Sequence, residues 1–266
     1  MKKKLLLFLI LIFTITLVSC KDTTTILINE TKNYEVDIEE KITISTLEDA
    51  LVNAVAIAEQ SSVTVIATNN GIFTDESHGS GVIIGKNESN KYYVLTNRHV
   101  ILNDDNKLKD NFYIYLGSKI TKTPAKLEMY DDEYDIALLS FTTTLNIKVA
   151  TMADSTKLQK GRYVIAVGSP YDYNDLYNTV TIGNISHPNR VIEEEISKGV
   201  MFNATYIQHD APINYGNSGG GLFNINGELI GINTWKIVGN SLKTYEGLGF
   251  SIPIHIAYQI VQRYIR

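Results

Sequence analysis

Cysteine is nearly absent: Cys20 stands alone in 266 residues, which excludes an internal disulfide framework and leaves the fold to rest on its apolar core. A strong excess of either sign of charge is missing as well, with 24 Lys and Arg against 29 Asp and Glu. A net charge of −5 gives no reason to expect nucleic acid or an anionic membrane surface as the ligand. Long apolar runs are missing apart from Leu5 to Val18, which is too short for a comfortable membrane span. The Gly-x-Ser-x-Gly word at residues 216–220 opens no helix, so the nucleophile setting of α/β-hydrolase esterases is lacking. What remains is ordinary globular material. Hydrophobic content is 44%, and the roughly 215 residues beyond the N-terminal segment suffice for two small barrels of about 100 residues each.

The most informative stretch is Gly216-Asn217-Ser218-Gly219-Gly220. A serine among small residues can present a nucleophilic hydroxyl together with backbone N–H donors, the pairing that acyl transfer needs. Glycine allows the tight turn and positive φ that bring a substrate carbonyl near the amides of Gly216 and Ser218. Taken alone, the segment reads equally as a flexible turn, because Gly/Asn/Ser clusters are common turn chemistry. A hydroxyl is a poor nucleophile near neutral pH, so Ser218 requires a histidine base, and the histidine requires a carboxylate to orient it. His99 lies where the strand-like run Tyr92 to Val100 breaks into polar residues, a setting that His78, His187, His209 and His255 lack. Asp135 opens the apolar run Ile136 to Leu139. An acid beside so much apolar surface needs a partner, and a histidine is well suited to the part.

With these residues in the order His99, Asp135, Ser218, the chain resembles the trypsin-like serine peptidases and, within them, the HtrA/Deg branch. Gly79-Ser80-Gly81-Val82-Ile83-Ile84 is similar to that family's first-barrel strand, Leu95 to Val100 to its histidine motif, and Asp135 to Leu139 to its aspartate motif. His209 to Leu222 resembles the nucleophile loop nearly throughout. Gly231-Ile232-Asn233 and Gly247 to Ile254 resemble the strand beside the substrate pocket and the closing segment. The resemblance spans residues 45–266 and implies an all-β fold of two six-stranded antiparallel barrels, with a short N-terminal helix and a C-terminal helix. It implies His99 as general base, Asp135 as its orienting acid, Ser218 as nucleophile and the amides of Gly216 and Ser218 as the oxyanion hole. Neither metal nor organic cofactor is expected, and the substrates implied are unfolded or misfolded proteins.

Two departures refine that expectation. Pro212 occupies the position six residues before Ser218 where trypsin-like enzymes carry the acid that reads Lys or Arg, which argues against basic specificity. The HtrA-like resemblance implies instead small or medium aliphatic side chains, with Pro212, Ile213, Asn214, Ile232, Asn233 and Thr234 as pocket walls. Tyr215 stands where the family often has proline or a small or basic residue, so the loop rim is expected to be shaped differently. No PDZ-like segment follows the closing segment, so substrate tethering through such a module is not expected within this chain. The rival reading is a surface lipoprotein that keeps the same fold as a binding module without turnover.

At the N-terminus, Lys2-Lys3-Lys4 followed by Leu5 to Val18 reads as a secretory signal, and Leu17-Val18-Ser19-Cys20 resembles a bacterial lipobox. Cys20 would carry a diacylglycerol, placing the protein on the extracytoplasmic face of the cell membrane. The expected organisation is therefore signal 1–19, tether 20–44 and peptidase domain 45–266, with barrels at about 60–150 and 155–255. Capping-box spacing of Ser45 and Glu48 predicts a helix whose face is Leu47, Leu51, Ala54, Val55 and Ala58. The resemblance gives this helix a role in homotrimer packing. Short β-rich runs between Gly, Asn and Asp turns fall into two sets, Val63 to Phe141 and Arg162 to Ile252, and a terminal helix is predicted over Ile254 to Ile265. Gly168 to Tyr177 occupies the position of a regulatory loop, whose aromatics could reach substrate or a neighbouring subunit. Asn189 to Asn203, with Glu193-Glu194-Glu195, reads as a solvated insertion without a role.

Overall fold

The computed structural model describes residues 44–70, 76–117, 122–197, 200–236, 239–240, 243–244 and 246–265. The expected signal (1–19), Cys20 and the expected tether up to residue 43 lie outside them.

The first set of strands is β1 (Ser62–Thr68), β2 (Glu76–Lys86), β3 (Lys91–Asn97), β4 (Asn111–Tyr115), β5 (Thr123–Asp131) and β6 (Ile136–Thr142). They close antiparallel into a barrel in the order β1-β2-β3-β6-β5-β4. The second set is β7 (Tyr163–Gly168), β8 (Thr179–Ser197), β9 (Val200–His209), β10 (Gly221–Phe223) and β11 (Leu229–Lys236), then a small ribbon of β12 (Gly239–Asn240) and β13 (Lys243–Thr244), and β14 (Gly249–Pro253). All but the ribbon close into a second barrel in the order β10-β11-β14-β9-β8-β7. The expected two six-stranded barrels are thus present, flanked by α1 (Ile44–Ala58) and α2 (Ile254–Val261).

Why the strands read as continuous apolar runs follows from where their two faces go. On β3, Tyr92 and Val94 fill the first barrel's interior, while Tyr93 and Leu95 point into a second cluster outside it. On β7, Val164 and Ala166 fill the second barrel, while Ile165 and Val167 join that same outer cluster. Ala54 and Ala58 of α1 and Ile254, Ala257 and Val261 of α2 complete it. One core therefore lies between the barrels in addition to one inside each, and strands buried on both faces lose the polar alternation of a half-exposed sheet.

Three local expectations are revised. α1 includes Ile44, so Ser45 lies within the first turn of the helix rather than capping it. The terminal helix ends at Val261 and tightens into a 3₁₀ turn, Gln262–Tyr264, and Ile265 beyond it reaches back to the first barrel at Gly85. Residues 189–203 are not an insertion but the outer arms of β8 and β9, which pair from Ile185 opposite His209 to Ser197 opposite Val200, with register shifts on the way. These arms extend past the barrel, and Val191 is exposed there. Ile192 still packs on the core between the barrels while Val191 and Glu193 are exposed, and the glutamate run leaves too few apolar residues to show the alternation that marks a strand.

Candidate active site

β3 and β6 pair antiparallel with Asn97 opposite Ile136. The residues just after β3 and just before β6 must therefore emerge at the same end, which brings His99 and Asp135 together. His99 Nδ1 lies 2.6 Å from Asp135 Oδ2, and the His99 backbone N–H donates to Asp135 Oδ1 at 2.8 Å. The Asp135 carbonyl is held in turn, accepting from Arg98 N–H and the Asn97 amide, both at 3.0 Å. Asp135 has φ +53°, an uncommon left-handed conformation that aspartate tolerates better than bulkier residues. With both oxygens engaged by one histidine, the carboxylate fixes the ring's orientation and favours the tautomer that leaves Nε2 unprotonated.

Ser218 arrives from the second barrel, on the loop between β9 and β10. Gly219 N–H donates to the Asn233 carbonyl and Asn233 N–H to the Gly220 carbonyl, both at 2.8 Å, which stitches the loop to β11. From the other barrel, Ser80 N–H donates to the Ser218 carbonyl at 2.7 Å and the Ser80 hydroxyl to the Gly216 carbonyl at 2.7 Å. Gly216 (φ +98°) and Gly219 (φ +83°) adopt conformations that favour glycine, and a Cβ on Gly216 would meet the Ser169 carbonyl at 2.5 Å. Among the described residues, neither the Gly216 nor the Ser218 amide donates to a protein acceptor, so both donors remain available. The Ser218 hydroxyl donates to the Thr234 carbonyl at 3.0 Å, and the Thr234 hydroxyl donates to Asp135 Oδ2 at 3.3 Å.

His99, Ser218 and Gly216 line one cleft of about 670 Å³ together with His78, Tyr171 and Tyr215. The expected pocket walls are distributed differently. Ile232 belongs to the core between the barrels, and Asn233 is fully buried, donating its side-chain amide to the Gly221 carbonyl at 3.1 Å. Ile213 is buried inside the second barrel, while Pro212 and Asn214 are exposed. None of the six lines this cleft.

Two residues act here in ways the sequence did not signal. Thr234, read as a pocket wall, touches both Asp135 and Ser218. Ser80 had been only the middle of a glycine-flanked strand motif, yet its hydroxyl also accepts from Ser169 N–H at 2.9 Å, and Ser169 accepts in turn from the Thr64 hydroxyl at 2.7 Å. The flanking glycines were the available clue, since backbones approach closely where a side chain is missing. His78 is partly buried, and burial lowers its pKa against the opposing pull of Glu76, Asp172 and the Ser169 backbone.

A double barrel that carries an acid–histidine pair on one barrel and a glycine-flanked serine on the other defines the class of two-barrel serine peptidase folds. The trypsin-like peptidase domain family matches residues 79–232, and the chain belongs to that family. It is 37% identical over 213 residues to the serine protease Do-like HtrA of Bacillus subtilis, covering 79% of this chain and 45% of that protein. To the periplasmic pH-dependent serine endoprotease DegQ of Escherichia coli it is 41% identical over 194 residues, covering 71% of this chain and 38% of DegQ. A solved HtrA-type protease, AlgW, with a tripeptide, superposes with a TM-score of 0.64 at 30% identity, covering 81% of this chain and 64% of AlgW. The chain spans less than half the length of the curated relatives it matches.

Proposed function

We propose that this chain is a serine endopeptidase that hydrolyses peptide bonds in unfolded or misfolded proteins. The observation that carries the reading is the 2.6 Å His99–Asp135 contact facing Ser218 in one open cleft. Ser218 Oγ attacks the substrate carbonyl while His99 Nε2 takes its proton and Asp135 stabilises the imidazolium. The amides of Gly216 and Ser218 hold the negative oxygen of the tetrahedral intermediate. His99 then protonates the leaving amine, and water hydrolyses the acyl-enzyme by the same route. Before this cycle begins, rotation about the Ser218 Cα–Cβ bond exchanges the Thr234 carbonyl for His99 as the partner of the hydroxyl.

The Ser218→Ala variant is expected to retain the fold and lose cleavage of a denatured protein by at least about 10³-fold. Unchanged hydrolysis would sink the assignment. Labelling of Ser218 by a fluorophosphonate separates this reading from that of a silent binding module, which would leave the serine unmodified. We place the enzyme on the outer side of the cell membrane, held by a lipid on Cys20. The lipobox-like Leu17-Val18-Ser19-Cys20 supports this, as does the periplasmic setting named for DegQ. Among the described residues, no helix is long and apolar enough to cross a membrane. Mass spectrometry of the mature N-terminus tests the anchor directly, since an acylated Cys20 is expected there.

A further inference from the structure

The catalytic cleft has a side that the mechanism above does not use. Its walls are His99, the residues that follow it (Val100 and Leu102), the start of β2 at Ser77 and His78, and the tyrosines Tyr171 and Tyr215. No residue from β11 lines it. Because His99 delivers its proton to the departing nitrogen, a cleft running from Ser218 past His99 receives the residues after the scissile bond.

Both tyrosines stand out there. Tyr171 is 84% and Tyr215 89% exposed, the two most exposed large hydrophobic side chains among the described residues. Their spacing is fixed, since Tyr171 N–H donates to the Tyr215 carbonyl at 2.9 Å. Nor is Tyr171 exposed for want of an anchored loop. Two residues on, the Tyr173 ring is buried, its hydroxyl donating to Glu76 Oε1 at 2.7 Å, while Lys122 holds the other Glu76 oxygen at 2.7 Å. Tyr171 also has φ +62°, a conformation uncommon for so bulky a residue and natural for glycine or asparagine. A strained backbone carrying a solvent-facing ring is a cost without return in the free protein. The Glu76 carboxylate is already paired, and the cleft offers the two rings and the apolar floor of Val100 and Leu102, with Asn103, Asp104 and Lys109 also in its lining.

Resting on the endopeptidase reading, we infer that Tyr171 and Tyr215 determine specificity on the leaving side, clamping an aromatic or large apolar side chain in the first two positions after the scissile bond.

The test uses the full chain and synthetic peptides with valine before the scissile bond and Phe, Leu, Ser or Gly at each of the two positions after it, with products followed by mass spectrometry. Wild-type kcat/KM is expected to favour Phe over Ser by about ten-fold, the gain typical of an added aromatic contact. Tyr171→Asn and Tyr215→Ser should each reduce that ratio, and the double variant should bring it close to one. Asn tolerates the left-handed backbone, so an unchanged melting temperature in Tyr171→Asn separates lost recognition from lost folding. Cleavage by the wild type with no preference, or a preference kept by the double variant, overturns this inference alone. Failure of the wild type to cleave any peptide, together with unlabelled Ser218, overturns the endopeptidase reading and this inference with it.

Discussion

Ser80 is a residue whose substitution touches folding and chemistry together. Its hydroxyl joins the Gly216 carbonyl to the Ser169 amide, so Ser80→Ala leaves a buried acceptor and a buried donor unpaired, at a cost of about 1–3 kcal/mol. Because Gly216 carries half of the proposed oxyanion hole, kcat should fall about ten- to a hundred-fold with a smaller change in KM, as steady-state kinetics on a single peptide would show. Gly219→Ala should be harsher, as its Cβ would enter the space of the Ser80 carbonyl and the Thr96 hydroxyl at φ +83°. A stability loss above about 2 kcal/mol in a denaturant titration is expected. At this scale the sequence was legible where chemistry is written into short words: His99, Asp135 and Ser218 each sit in a recognisable run of residues. Ser80 and Thr234 were not, because their partners are set by pairing across the fold. The Ser80–Gly216 bond joins positions 136 apart, and no local pattern announces it.

Among the elements, β9, β14, β11 and β10 are linked by a chain of buried side chains. His209 Nε2 lies 3.0 Å from the Ser251 hydroxyl, which donates to Asn233 Oδ1 at 2.8 Å, and Asn233 reaches the Gly221 carbonyl. Since Ser251 spends its proton on Asn233, His209 must donate from Nε2. Nδ1 is then the site of protonation, and it is buried. Burial pushes the His209 pKa down from 6.5 to about 4, outweighing the opposing pull of Asp210. The unfolded chain therefore takes up a proton between about pH 6.5 and 4 that the folded chain refuses. Stability from this group is complete above about 6.5 and falls by about 3 kcal/mol as the pH drops through that window. Denaturant midpoints at pH 7 and 4.5 should converge in His209→Gln relative to wild type. The outer arms of β8 and β9 show the opposite limit of legibility. There the pairing is real, but the run Glu193-Glu194-Glu195 leaves too little apolar alternation for a strand to be read.

For the whole molecule, the core between the barrels decides how it unfolds. Leu95 and Leu138 from the first barrel meet Ile165, Ile232 and Ile252 from the second in one cluster with both helices. Leu95→Ala should cost about 2–5 kcal/mol, and calorimetry should still show one transition for both barrels. Two transitions would mean that the barrels melt separately. The two-barrel arrangement was readable from two sets of short strands, whereas this shared core was hidden within the same apolar runs that fill the barrel interiors.

His99 and Asp135 come from the first barrel, Ser218 and Thr234 from the second, and the bonds of the Ser80 hydroxyl to Gly216 and Ser169 close only when the barrels dock. Competence at Ser218 is thus the last property acquired as the chain matures. On the proposed endopeptidase reading, a molecule whose barrels have not yet docked carries every residue of the site without the means to cut its neighbours.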